Sequence, residues 1–385
     1  MIRTDSRRAL IDLLGHGQAH VRMAALHLLS ESYTDAPEIY AAIVEGWKRW
    51  GVDAAFTELP MLSYLPIPND KIEDCCWRAG RMAEGQALTS PQSRAAGKLL
   101  EQLVMLPAEQ LQPFLSRIES IKGRSKIFFR VDLDTLRMRI EFLDYSADQL
   151  ARILDDSIDH LTRHRDSSEA FRRASAALET IRLRFPDYID LQSVLEQGSG
   201  ASPHHEMSFL MTLRTLIRFP QPGMAETIGG LLDSEDEGLI SSAVEALVRE
   251  DSLAAAEVLC ELYPASQDPA RQWIARGLQR LNLHGLSDRL GHLRQLESEP
   301  HLWLMLLIAE TRQFDPQSAE RLAADLNRLL SPSEMLIDSL RLFLTLHQRE
   351  GDDRLRDLEE AFTEYLQRID RGLVNRLGGD RHRTD

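Results

Sequence analysis

The chain has 385 residues, 43% of them hydrophobic and 27% charged, and carries a formal net charge of -15 with an isoelectric point near 5.3. That composition supports a large folded core, and the acidic balance argues against a uniform attraction to phosphate backbones or anionic lipid, so nucleic acid is not expected as a partner. Cys75, Cys76 and Cys260 are too few for a disulfide framework, and the longest apolar run, Leu302 to Ala309, falls far short of the ~20 residues that cross a bilayer; a reduced, cytoplasmic protein without membrane insertion is expected.

Residues 8–30 read as a helix pair, and they overlay a second stretch without a gap. Leu14 falls on Leu232, Val21 on Leu239, Ala25 on Ala243, Leu26 on Val244 and Leu29 on Leu247. Small residues at equivalent places predict helices packed closely in a stack of pairs, because one pair alone cannot bury its apolar face. From about 35 to 200 the apolar spacing stays helical, but no repeat aligns. Trp47 and Trp50 sit at helical spacing and read as core, and Cys75 and Cys76 among Ile72, Trp77 and Met82 read as small buried hydrophobes. Residues 126–143 alternate like a strand and also carry a helix stripe through Leu133, Leu136, Ile140 and Leu143; helix is preferred, with helices on both sides.

Proline marks helix starts. Ser90-Pro91, Ser202-Pro203, Asp268-Pro269, Asp315-Pro316 and Ser331-Pro332 each place a capping oxygen before a proline, whose missing N–H costs nothing in the first turn. Ser146 with Gln149, and Ser331 with Glu334, form capping boxes. Gln197 to Ser202 is the best candidate for a hinge, dividing residues 1–196 from a second helical stretch over 203–370. The tail over 371–385 is expected to be unstructured.

Second-helix starts near Leu239, Ala270 and His301 recur every 31 residues. Gly15-His16-Gly17-Gln18-Ala19-His20-Val21-Arg22-Met23-Ala24-Ala25, echoed by Asp233-Ser234-Glu235-Asp236-Glu237-Gly238-Leu239-Ile240, resembles the turn of short bacterial HEAT-type repeats in the armadillo-like superfamily. The resemblance covers 8–30 and 224–312. It implies an all-α, right-handed α-α superhelix, a HEAT-like solenoid of helix pairs, acting as a non-catalytic scaffold or adaptor for a protein partner. Ile240 stands where the family commonly has an arginine linking neighbouring repeats. HEAT-like folds also include alkylpurine-DNA-glycosylase-like and bilin-lyase-like enzymes; the first would need a basic groove, which only the Arg-rich segment 117–184 could supply.

Chemistry-bearing motifs are sparse. No nucleophile elbow or Walker loop occurs. His205-Glu206 resembles the dyads of HEAT-repeat di-iron hydroxylases but occurs once, and Asp156, His160 and His164 lie on one solvated helix face without further ligands, so no metal or other cofactor is expected. Charge is the feature that points outward. Arg124, Lys126, Arg130, Arg137 and Arg139 form a basic stretch that could bind an anion, with Phe128 and Phe129 between. Asp233, Glu235, Asp236, Glu237, Glu250 and Asp251 form an acidic stretch on the repeat turns, and this is the preferred site for a protein partner.

Overall fold

The computed structural model describes residues 5–31, 36–52, 67–84, 90–124, 133–198, 202–250, 252–281, 285–329, 333–347 and 353–379, and among these all regular structure is helical. Ser90, Ser146 and Ser202 make the caps read from the sequence and Asp315 accepts from Gln317 N at 3.1 Å, but the helix that begins at Ala270 has no side-chain cap, so Asp268 does not serve as one. Ser90, Ser202 and Ser252 accept hydrogen bonds from the backbone N–H groups of Ser93, His205 and Ala255 at 3.1, 3.2 and 3.0 Å, and Ser146 and Gln149 exchange reciprocal bonds at 3.3 and 2.9 Å. Each satisfies a donor that a helix terminus would otherwise leave unpaired. Ser331 lies outside the described residues, and the oxygen that accepts from Leu336 N at 3.4 Å belongs to Ser333. Residues 126–132 are also outside them; beyond, Leu133–Glu141 is helical.

Helices α1 (Asp5–Leu13), α2 (Ala19–Glu31), α3 (Glu38–Trp50), α4 (Ile72–Ala83), α5 (Pro91–Met105), α6 (Ala108–Leu111), α7 (Leu115–Arg124) and α8 (Leu133–Glu141) precede a regular two-layer row. Its inner helices are α10 (Ser168–Arg184), α12 (Pro203–Arg218), α14 (Glu237–Glu250), α16 (Ala270–Arg280), α18 (Pro300–Thr311) and α20 (Glu334–His347). The starts of these helices lie 35, 34, 33, 30 and 34 residues apart, and each packs on the next. Outside them run α9 (Ala147–Arg163), α11 (Leu191–Glu196), α13 (Ala225–Gly229), α15 (Leu253–Leu262), α17 (Ser287–Leu296), α19 (Ala319–Leu326) and α21 (Asp353–Gly379).

The first helix pair continues this row at its far end: α2 packs against α20. From there contacts pass through α1 to α3, where Tyr40 hydrogen-bonds Asp74 of α4 at 3.0 Å, through α4 to α5, and from the end of α5 through Arg139 of α8 to α10. The contacts thus run in a circuit. One apolar core joins residues 10–136 to 307–365, and a second spans 142–309 without a break at 197–202, where Leu195 and Phe209 share it. The tail expected to be loose from 371 is helical in its backbone to Gly379. Its helix is anchored on the core by Leu355, Leu358, Phe362 and Tyr365 and extends beyond them by adding one hydrogen bond per residue.

Of the residues paired by the internal alignment, Leu14, Val21, Ala25, Leu26 and Leu29 are buried, as are Leu232, Ala243, Val244 and Leu247, while Leu239, opposite Val21, is half-buried; Ala25 and Ala243 are fully enclosed. Close helix approach leaves no room for more: a Cβ on Gly277 would stand 2.7 Å from Val244 Cγ1. Ala25→Leu and Ala243→Leu should therefore each lower the unfolding free energy by about 1–3 kcal/mol. Urea titrations with unchanged midpoints would show that these positions have space.

Candidate interaction groove on the inner helices

Five arginines recur at the ends of the inner helices: Arg184, Arg218, Arg249, Arg280 and Arg312. Their guanidinium groups donate to carbonyl oxygens at the ends of neighbouring helices, where unpaired C=O groups concentrate negative charge. Arg249 reaches Ile217 O and Arg218 O at 2.8 and 3.3 Å, Arg312 reaches Gln279 O at 3.1 Å, and Arg280 reaches Glu31 O at 3.2 Å. Arg218 joins Val104 O at 3.0 Å and the buried Glu179 at 2.7 Å, and Arg184 donates to Leu143 O. Repeat-to-repeat links are made here, at the helix ends. Arg22 instead closes its own turn on His16 O and Gly17 O and lies 3.9 Å over the Trp50 ring, while Ile240 is simply buried.

Arg280 and Arg312 gather the carboxylates at the seam. Arg280 grips Glu245 with both terminal nitrogens, one of them at 3.1 Å, and Arg312 binds Glu31 at 2.8 Å and Ser339 Oγ at 3.2 Å. His27, one turn before Glu31, adds a contact of 2.8 Å. Burial alone would raise the Glu31 carboxyl, but the His27 hydrogen bond and the Arg312 charge hold it down to about 2, from an ordinary 4.5. A depressed carboxylate contributes stability that is present above 4.5 and lost as pH falls toward 2. With the side chain a quarter exposed, the seam should lose about 2–3 kcal/mol over that window. Urea midpoints compared between pH 5 and pH 2.5 check it, with Glu31→Gln as the reference whose loss over the same range is smaller.

Between these seam charges and the helix starts lies a groove of about 410 Å³. Ser241, Val244 and Glu245 come from α14, Trp273, Arg276 and Arg280 from α16, and His301, Leu304, Met305 and Ile308 from α18, with Ser333 and Met335 at the start of α20. Helical spacing of three and four puts each set on one face. A second hollow, about 530 Å³ and lined by His27, Leu28, Met335 and Asp338, lies on the other side of Arg312. The Trp273 ring is positioned by its indole N–H, which donates to Glu237 at 3.1 Å, and Arg276 lies 4.9 Å over that ring.

The acidic stretch is divided by the fold. Asp233, Glu235, Asp236 and Glu237 are exposed together before and at the start of α14, where Asp236 caps the N–H groups of Gly238 and Leu239 at 2.8 and 3.3 Å. Glu250 is at the other end of that helix, ~20 Å away at 1.5 Å per residue, and binds Gly223 N and Ser252 Oγ. Asp251 lies outside the described residues. None of the described carboxylates of this stretch lines the groove, and Glu237 is linked to it through the Trp273 indole.

The basic stretch fares differently. Lys126 and Arg130 fall outside the described residues, as does the side chain of Arg124. Arg137 is exposed and paired with Glu119 and Asp134 at 2.7 and 2.9 Å. Arg139 is no anion site for solvent: it is 1% exposed and bound to Val104 O, Leu106 O and Glu179 at 2.8, 2.8 and 3.2 Å. Burial draws its guanidinium down to about 10 despite Glu179.

The two histidine motifs come together where α9 packs on α12. The His160 and His164 rings are 4.8 Å apart, His204 meets Asp159 at 2.9 Å, His205 meets Ser202 at 2.7 Å, and Glu206 pairs with Arg165 at 3.2 Å. Among the described residues no three His, Cys, Asp or Glu side chains are arranged to hold a metal. Cys75 is fully buried, and burial pushes its thiol well up; the Cys76 and Cys260 thiols are pushed up to about 11 for the same reason. No described helix is long and apolar enough to cross a membrane.

No protein-family model matches the chain, and no curated protein matches it. Among solved structures, the crystal structure of an engineered protein from a structural genomics consortium is similar at 13% identity, covering 94% of this chain and 98% of that one, with a TM-score of 0.32. A score that low carries no argument about fold or function.

Proposed function

We propose that the chain is a non-catalytic interaction scaffold, HEAT-like in organisation, that engages a protein partner on the face formed by its inner helices. The supporting observation is the groove: three successive inner helices leave Val244, Leu304, Met305 and Ile308 facing a common hollow, with Trp273 and Arg276 beside it. Stacked helix pairs build extended surfaces of this kind. An enzymatic reading through the Arg-rich segment has less support, since Arg139, Arg182 and Arg184 donate to internal carbonyl groups of Val104, Pro220 and Leu143.

The test is reconstitution. Proteins retained by the immobilised full-length chain are identified, purified and titrated against it by calorimetry. A stoichiometric complex weakened by Leu304→Asp supports the reading; failure of every purified candidate to form a complex overturns it.

A further inference from the structure

We infer that the groove is built for one class of segment, a stretch of a partner protein in which an aspartate or glutamate is flanked by bulky apolar residues. This rests on the scaffold reading and adds the chemistry of what is bound. The apolar half follows from the floor. Val244, Met305 and Ile308 are buried, Leu304 and Met335 are half-buried, and the hollow above them falls in the usual range of sites that recognise apolar groups.

The acidic half follows from tracing each charge to its partner. Glu245 is held by Arg280, and Glu31 by Arg312 and His27. Glu237 accepts the Trp273 indole N–H and occupies the first turn of α14, where the helix dipole offsets its charge. Arg276 is exposed, stacks on Trp273 and meets no carboxylate among the described residues. It lies in the interior of α16, where no helix end balances it.

The same rim collects positive helix ends. His301, exposed, stands in the first turn of α18, and no side chain caps that turn; Ser333 and Met335 bring the start of α20 to the groove as well. An acidic side chain entering beside Trp273 therefore meets a guanidinium with no carboxylate partner among the described residues and the start of α18, which no side chain caps, whereas Ser333 caps the start of α20. A basic one would meet Arg276 and gain little from carboxylates already bound.

A phage-displayed library of random dodecapeptides, selected on the full-length chain, reads this preference without assuming a sequence. The enriched peptides should pair aspartate or glutamate with leucine, isoleucine, phenylalanine or tryptophan. Binding of a synthesised winner should weaken about ten- to hundredfold in Arg276→Glu, where like charges face each other, and should weaken in Leu304→Asp. It should be unchanged in Arg163→Glu, a reversal of an exposed arginine on α9, and circular dichroism checks that each variant keeps its helices. Enrichment of basic peptides, or of peptides indifferent to Arg276→Glu, overturns the proposal; so does an absence of enrichment. If a reconstituted partner then binds Arg276→Glu as tightly as the parent, the groove assignment falls while the scaffold reading stands.

Discussion

Replacing Arg294 with methionine is expected to lower the unfolding free energy by about 3–5 kcal/mol, because it leaves buried carboxylates without their counter-ion. Arg294, on α17, is 2% exposed. It binds Glu310, which is fully buried on α18, at 2.9 and 2.8 Å, and reaches Asp325 on α19. Arg321 contacts Glu310 from the other side at 3.0 Å and Asp288 at 3.0 Å, so the four central charges balance only while Arg294 is present. Gly291 leaves the space this needs, since a Cβ there would lie 3.2 Å from Glu310 Oε1. Urea midpoints measure the loss. Removing the matching acid as well, in Arg294→Met with Asp325→Leu, should recover part of it, as coupled neighbours do in a double-mutant cycle. A single variant within 1 kcal/mol of the parent, by the same order-of-magnitude scale, would mean that the network carries no net buried charge.

The second large effect is expected at the seam. Arg312→Met removes contacts to Glu31, Gln279 O and Ser339 from a side chain 5% exposed, and should cost about 2–4 kcal/mol at pH 7. The loss should also depend on pH in a specific direction. Without Arg312 the Glu31 carboxyl titrates closer to its ordinary 4.5, so the variant has less seam stability left to lose as pH falls toward 2. The gap between variant and parent should narrow from pH 5 to pH 2.5. A gap of constant size would assign the loss to packing.

Helix type and the rhythm of the second half are legible because their markers are local. The starts read near Leu239, Ala270 and His301 fall within two residues of Glu237, Ala270 and Pro300. The earlier inner helices escape such a reading because their shared marker is at the opposite end. Leu183-Arg184-Phe185-Pro186 and Ile217-Arg218-Phe219-Pro220 match each other, and both arginines close onto a neighbour's terminus. A search keyed to the turn before a helix passes over them.

The groove is hidden for a related reason. Ser241, Trp273 and His301 become neighbours only when helices some thirty residues apart lie side by side, and nothing local in any of them signals it. Summing charge along the chain has the opposite weakness. It joined Glu250 to Asp233–Glu237, which one helix length keeps apart, and counted Arg139 as available when its guanidinium is spent on backbone carbonyls.

The contact between α2 and α20 has a consequence in time. During synthesis the face of α2 that α20 covers is finished 303 residues before Glu334, the first residue of its partner helix, is made (334−31). At roughly 5–20 residues per second, that face waits about 15–60 s on the ribosome. Helices later in the row can dock on a predecessor as they emerge, but the first pair has no such neighbour. The nascent chain therefore carries an apolar, arginine-seeking edge through most of its translation, and holding that edge off other emerging chains falls to whatever binds near the tunnel exit.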